Sequence, residues 1–302
     1  MAALIAIPAF FALRSVRIPA ELKVALEATP YGYTWSLLLF LVPLAVLALW
    51  LWRRRDLAVQ RRAAVRVLPL LVLQGFALDF FFGHRFFLFP KLEATTLGWP
   101  IPVIGGTIPV EELVFYAGGF TVVLLTYLWC DEVWLARYNE ENYRAAVRKA
   151  GRLLRFHRAS FVVGLALILA AAAYKRFVLL QPGWPEYLTF LILVAFIPSV
   201  GFFAAVKPYI NWRAVSLTFF MMLLVSLLWE ATLAIPYGWW GYRSEPMLGV
   251  RVGAWGNLPI EAVLVWAAAT YATVIAYEVV KIWQASGERA RAAFLANARA
   301  KP

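Results

Sequence analysis

Five carboxylic acids sit at the margins of long apolar stretches of this chain: Asp79, Glu111, Glu112, Glu230 and Glu261. A charged side chain at the centre of a membrane-spanning helix costs about 2.5–3.5 kcal/mol on insertion scales, so acids at such places need a reason. A carboxylic acid removed from water keeps its proton toward neutral pH, because desolvation disfavours the anion. It can then act as a general acid on an apolar substrate. The same acids could instead relay protons across a membrane. Taken singly, Pro followed by Glu in a first turn is an ordinary helix start. The grouping is what points to chemistry.

The grouping comes from an internal repeat. Gly106–Phe115 reads GTIPVEELVF and Gly256–Val265 reads GNLPIEAVLV, so Pro109 matches Pro259 and Glu111 matches Glu261 at an offset of 150. Leu97–Gly98 matches Leu248–Gly249, and Asp79 matches Glu230, at an offset of 151. Ala262 stands where the first copy has Glu112. Glu111 and Glu112 are adjacent and point about 100° apart on a helix of 3.6 residues per turn, so one can face a cavity while the other supports it.

These acids need helices to carry them to one depth. The 302 residues are 63% hydrophobic and only 15% charged, which excludes an ordinary soluble domain. Seven runs are long enough to span a bilayer: Tyr33–Trp52, Arg66–Gly83, Pro109–Cys130, Ala159–Tyr174, Tyr187–Val206, Arg213–Pro236 and Leu258–Trp283. The fold class is therefore an all-α polytopic membrane bundle. Residues 33–130 form a first three-helix repeat and 187–283 a second, running parallel. Residues 131–186 supply a basic loop and a connecting span. Residues 1–32 are an N-terminal interfacial segment, and 284–302 a tail.

The net charge of +12 does not read as a nucleic-acid face, because the basic residues lie between apolar runs. Arg53–Arg55, Arg61 and Arg62 follow the first span, Arg137–Arg158 is rich in basic residues, and the tail carries Arg289, Arg291 and Arg299. Basic loops stay in the cytoplasm. That places the N-terminus outside, the C-terminus inside, and all five acids near the outer ends of their spans. The expected location is the cell (inner) membrane. A single cysteine, Cys130, leaves no intramolecular disulfide and no Cys-based metal site. No dinucleotide fingerprint, P-loop or paired Asp-rich motif is present, so neither a cofactor nor a metal is expected.

Aromatic residues crowd the same outer zone. Most suit an interfacial belt, but ring faces also stabilise cations. Trp239 and Tyr242, in PYGWWGY between two of the acids, are the leading substrate contacts. His84, Phe115 and Trp255 are further candidates. His157 lies in the basic loop and reads as structural.

IPVEELVFY and LPIEAVLVW, in tandem three-span units, resemble the repeated Pro-x-Glu-Glu motif of the lycopene cyclase domain, the small integral-membrane type of carotenoid cyclase. WWGYRSEPMLGVRVGAWGNLPIEA is similar to that family's second repeat. The likeness covers residues 33–129 and 187–283. WEATLAIPYGWWGY is also similar to carotenoid hydratases of the bisanhydrobacterioruberin type, and fungal meroterpenoid cyclases share the general plan. The resemblance implies a redox-neutral ring closure of a linear isoprenoid drawn from the lipid, with Glu111, Glu112 and Glu261 as acid and base and Asp79 and Glu230 in support. A hydratase on the same scaffold and a proton-coupled transporter are the alternatives. The expected partners are the apolar isoprenoid and membrane lipid, with oligomer formation left open.

Overall fold

The computed structural model describes residues 29–139, 152–287 and 289–295. The N-terminal interfacial segment, the middle of the basic loop and the end of the tail lie outside the described residues, apart from the last few residues before the first helix.

Seven helices are long and apolar enough to cross a membrane: α1 (Gly32–Arg53), α2 (Ala58–Phe86), α3 (Glu111–Trp134), α4 (Arg158–Val178), α5 (Glu186–Tyr209), α6 (Trp212–Tyr237) and α7 (Ile260–Ser286). The protein is an all-α, multi-pass membrane bundle. Helix α2 begins at Ala58 rather than at the expected Arg66, because the helix continues through Arg61 and Arg62 beyond its apolar stretch. The capping is local. The His157 side chain accepts from the Ser160 amide at 3.2 Å and opens α4, and the Asn211 side chain accepts from the Ala214 amide at 3.2 Å and opens α6.

Helices α3 and α7 pack against each other at the centre. Their apolar windows are 61% and 56% buried, against 17% for α4, which packs on α5 at the periphery. Helices α1 and α2 lie on α3, and α5 and α6 lie on α7. The halves then cross over, α2 reaching α7 and α6 reaching α3.

At one end, here the site end, the connections form three short antiparallel ribbons. They use β1 (Phe87–Leu88), β2 (Pro100–Val103), β3 (Gly106–Pro109), β4 (Gly241–Tyr242), β5 (Arg251–Val252) and β6 (Leu258–Pro259). In β2–β3 Pro100 pairs with Pro109, and in β5–β6 Arg251 pairs with Pro259, which are equivalent pairs in the repeat. Between them β1 pairs with β4, joining the two halves directly. Arg85 at the end of α2 adds ion pairs to Glu186 at 2.7 Å and Glu245 at 3.2 Å.

The far end is held by a buried ionic cluster. The Lys281 amine donates to Glu278 at 2.7 Å and stands 3.9 Å from Asp131. Tyr127 donates to Glu278 at 3.0 Å, and the Asn211 amide donates to Asp131 at 3.0 Å. Asp131 and Lys281 are equivalent positions in the repeat, so α3 brings the acid and α7 the base. Removing one partner of a buried pair leaves the other charge uncompensated. Lys281→Met is therefore expected to destabilise the bundle by about 3–5 kcal/mol, seen as a lower thermal midpoint in detergent micelles. Adding Glu278→Gln should recover part of the loss. An unchanged midpoint in Lys281→Met would show that the cluster does not hold the far end.

Candidate functional site

Glu111 and Glu261 do the same job in the two halves. The Leu97 amide donates to Glu111 Oε1 at 2.7 Å, and the Leu248 amide donates to Glu261 Oε1 at 2.5 Å. Leu97 and Leu248 are repeat equivalents, so each Pro-x-Glu helix start fastens the Leu-Gly loop of its own half. Gly98 and Gly249 follow at φ +72° and +97°, the left-handed region where glycine turns a chain freely. The Thr34 hydroxyl also donates to Glu111 at 2.5 Å. On the other side, the buried Lys175 amine donates to the Glu245 and Met247 carbonyls at 2.7 and 2.5 Å, fixing the backbone just before Leu248.

Asp79 and Glu230 form a second equivalent pair. Each opens a π-helical turn, Asp79–Gly83 in α2 and Glu230–Ala234 in α6. Such turns insert a residue into a helix and re-aim its side chains, frequently at functional sites. The Tyr116 hydroxyl donates to Asp79 Oδ1 at 3.1 Å, and the Trp266 indole donates to Glu230 Oε1 at 3.3 Å. Tyr116 and Trp266 are again equivalent, at the offset of 150. Glu230 gathers two more donors, Ser226 at 2.8 Å and Tyr242 at 2.5 Å. Burial first, then the adjacent Glu230, holds the Tyr242 phenol well above the usual tyrosine range, so it remains a donor.

Glu112 breaks the symmetry, since its equivalent is Ala262. It accepts from the Tyr33 hydroxyl at 2.6 Å, and its carboxyl neighbours that of Asp79. Glu112 and Glu230 line one cavity of about 50 Å³, so one acid from each half faces a shared space. Tyr33, Tyr116, Tyr187 and Tyr242 surround them, with Phe87, Phe89, Phe115, Trp240 and Val265 completing an aromatic wall. The cavity has room for a few water molecules. Any group larger than that enters only when the rings move.

Of the residues singled out from sequence, Glu112, Glu230, Phe115 and Tyr242 line this cavity, and Asp79 touches it through Tyr116. Glu111 and Glu261, at the starts of α3 and α7, are absent from its lining and bond to the loops instead. Trp239 is buried against Gly32 and stacks on Tyr237, while its neighbour Trp240 takes the cavity position. His84 is exposed and packs against Gly106, with its backbone carbonyl accepting from Arg243 at 2.8 Å. Trp255 lies in a short turn before β6, away from the lining. Tyr33 and Tyr187 are cavity residues outside the motifs, and Tyr116 ends the IPVEELVFY motif without having been singled out. Tyr33 opens α1 as Tyr187 opens α5, at an offset of 154, and Pro43 matches Pro198 at 155, so aligning them with the offset of 151 downstream takes a gap of three to four residues.

Comparison with protein-family models, curated proteins and solved structures returns no match for this chain.

The two kinds of acid should separate experimentally. Glu111→Ala and Glu261→Ala each leave a backbone amide without its acceptor and are expected to cost about 1–3 kcal/mol. Glu112→Gln, which keeps its size and an acceptor for Tyr33, is expected to stay within about 1 kcal/mol of the parent. Thermal melting of the purified protein in detergent measures both. Equal losses in all three variants would contradict the division.

Proposed function

We propose that this protein is a membrane-embedded cyclase of a linear isoprenoid of the carotenoid type, starting ring closure by proton transfer. The observation that carries the reading is the cavity shared by Glu112 and Glu230, walled by aromatic rings at the depth of the paired π turns. The resemblance of the Pro-x-Glu repeats to the lycopene cyclase domain points the same way. The arginine-rich loops at the far end favour the cell (inner) membrane, with the site end outside.

Glu112 and Asp79 form the proton-donating pair. Two neighbouring carboxyls away from water hold a proton between them more readily than two negative charges. Asp79 Oδ2 is buried and accepts no hydrogen bond from another described group, so a carboxylic proton is the simplest way to satisfy it. That proton passes to the terminal double bond of the isoprenoid and leaves a tertiary cation. An internal double bond supplies its electron pair to the cation, a carbon–carbon bond closes a six-membered ring, and the positive charge moves inward. Glu230 then takes a proton from the carbon next to the charge and restores a double bond. The proton count balances and no oxidant or reductant is consumed. The faces of Trp240, Phe115 and Tyr33 hold the cation away from water.

A hydratase is the second reading, and the water-sized volume of the cavity favours it. There the same cation is trapped by a water molecule whose proton goes to Glu230.

Expression in cells that make lycopene tests both. Product analysis should show a new compound of unchanged mass, reduced about 10²–10⁴-fold in Glu112→Gln and in Glu230→Gln, the range general acid–base groups contribute. Glu111→Gln and Glu261→Gln should lose less than either. A product heavier by one water would select the hydratase. Unchanged lycopene, with folded protein in the membrane, would remove lycopene as the substrate.

A further inference from the structure

The acid cavity is the innermost of three spaces that share walls. Tyr116 and Val265 line both it and a second cavity of about 40 Å³ between α2, α3, α5 and α7. Gln74, Leu78, Phe190 and Val194 line both that second cavity and a groove of about 380 Å³ between α2 and α5. The groove opens on the lipid-facing side, where Phe81, Leu193 and Ile197 are exposed. Its walls are apolar but for Gln74. They run from Gln74 to Phe82 on α2 and from Phe190 to Pro198 on α5, about 12 Å along each helix. Its volume falls in the range of small-molecule sites, roughly 300–1,000 Å³.

The repeat predicts a matching crevice between α6 and α1, and that one is plugged. Where the first half has Leu78 and Tyr116, the second has Trp229 and Trp266. Phe40 of α1 sits 4.4 Å from the Trp229 ring and stacks at 6.1 Å on Trp266. Trp240 closes on Trp229 at 4.8 Å. On the open side, Gly75 leaves room for the Tyr116 ring, which a Cβ there would meet at 2.5 Å. One of two equivalent crevices is thus sealed by rings and the other kept clear.

We infer that the α2–α5 groove is a binding site for the unreacted hydrocarbon tail of a linear polyisoprenoid, which reaches the acids sideways from the bilayer past Phe190 and Tyr116. The inference takes its reacting end from the cyclase reading above, but binding of the tail requires no turnover. It also explains how a cavity of about 50 Å³ serves a long substrate: only the chain end passes Tyr116, and the remainder lies in the groove.

Photolabelling tests it. The full chain in phosphatidylcholine nanodiscs is irradiated with a diazirine-bearing geranylgeranyl hydrocarbon, and the labelled peptides are mapped. Label is expected at Phe81 and across Phe190–Ile197, saturable and displaced by unlabelled lycopene. Val194→Trp, which fills the groove, should lower that label at least tenfold, while Val42→Trp on the lipid face of α1 leaves it unchanged. Even labelling over lipid-facing residues such as Val42 and Leu70, undisplaced by competitor, would overturn the groove whatever the product assay shows. Saturable groove labelling in a protein that forms no product would support the groove and count against the cyclase.

Discussion

A carboxyl group at membrane depth must find its hydrogen-bond donors within the protein, because lipid offers none. That requirement organises the site end of this bundle. Each half answers it with the same two devices: a Pro-x-Glu start that binds its own Leu-Gly loop, and a π turn whose first residue, Asp79 or Glu230, receives a ring donor from the central helix. These bonds tie the loops and flanking helices to α3 and α7, yet of the four acids only Glu230 has both oxygens supplied; Asp79, Glu111 and Glu261 each keep one buried oxygen without a partner among the described groups.

The two halves differ at the cavity. Glu112 has no counterpart in the second half, and Tyr242 has none bonded to Asp79 in the first. Asp79 therefore stays short of donors beside Glu112, whereas Glu230 is supplied with three. On the proposed reading, one side holds a proton and the other receives it. The same divergence seals the α6–α1 crevice with tryptophan and leaves the α2–α5 crevice clear. A duplicated scaffold thereby becomes a site with a direction.

Much of this was legible in the sequence. Seven apolar runs gave seven spans, because hydropathy over about 20 residues is a strong signal. The offset that links Asp79 to Glu230 paired the two acids, while the π turns they open were not legible. Choices between adjacent residues were not legible. Glu111 against Glu112, and Trp239 against Trp240, differ by about 100° around a helix or by one step along a loop, and only the neighbours decide which faces inward. Tyr33 and Tyr187 were hidden because their offset of 154 departs from the 150–151 of the motifs downstream. The pairing of Asp131 with Lys281 was hidden for another reason. The sequence places each at a span boundary, where charges are ordinary, and only the packing of α3 on α7 buries them together.

The central claim is that a carboxyl proton from this cavity starts the reaction, and isotope incorporation reads that step directly. Membranes containing the protein and lycopene are incubated in heavy water, and the cyclic product is weighed. One deuterium per ring closed is expected, with no product from Glu112→Gln. A ring formed without deuterium, or one formed equally well by Glu112→Gln, would contradict the account.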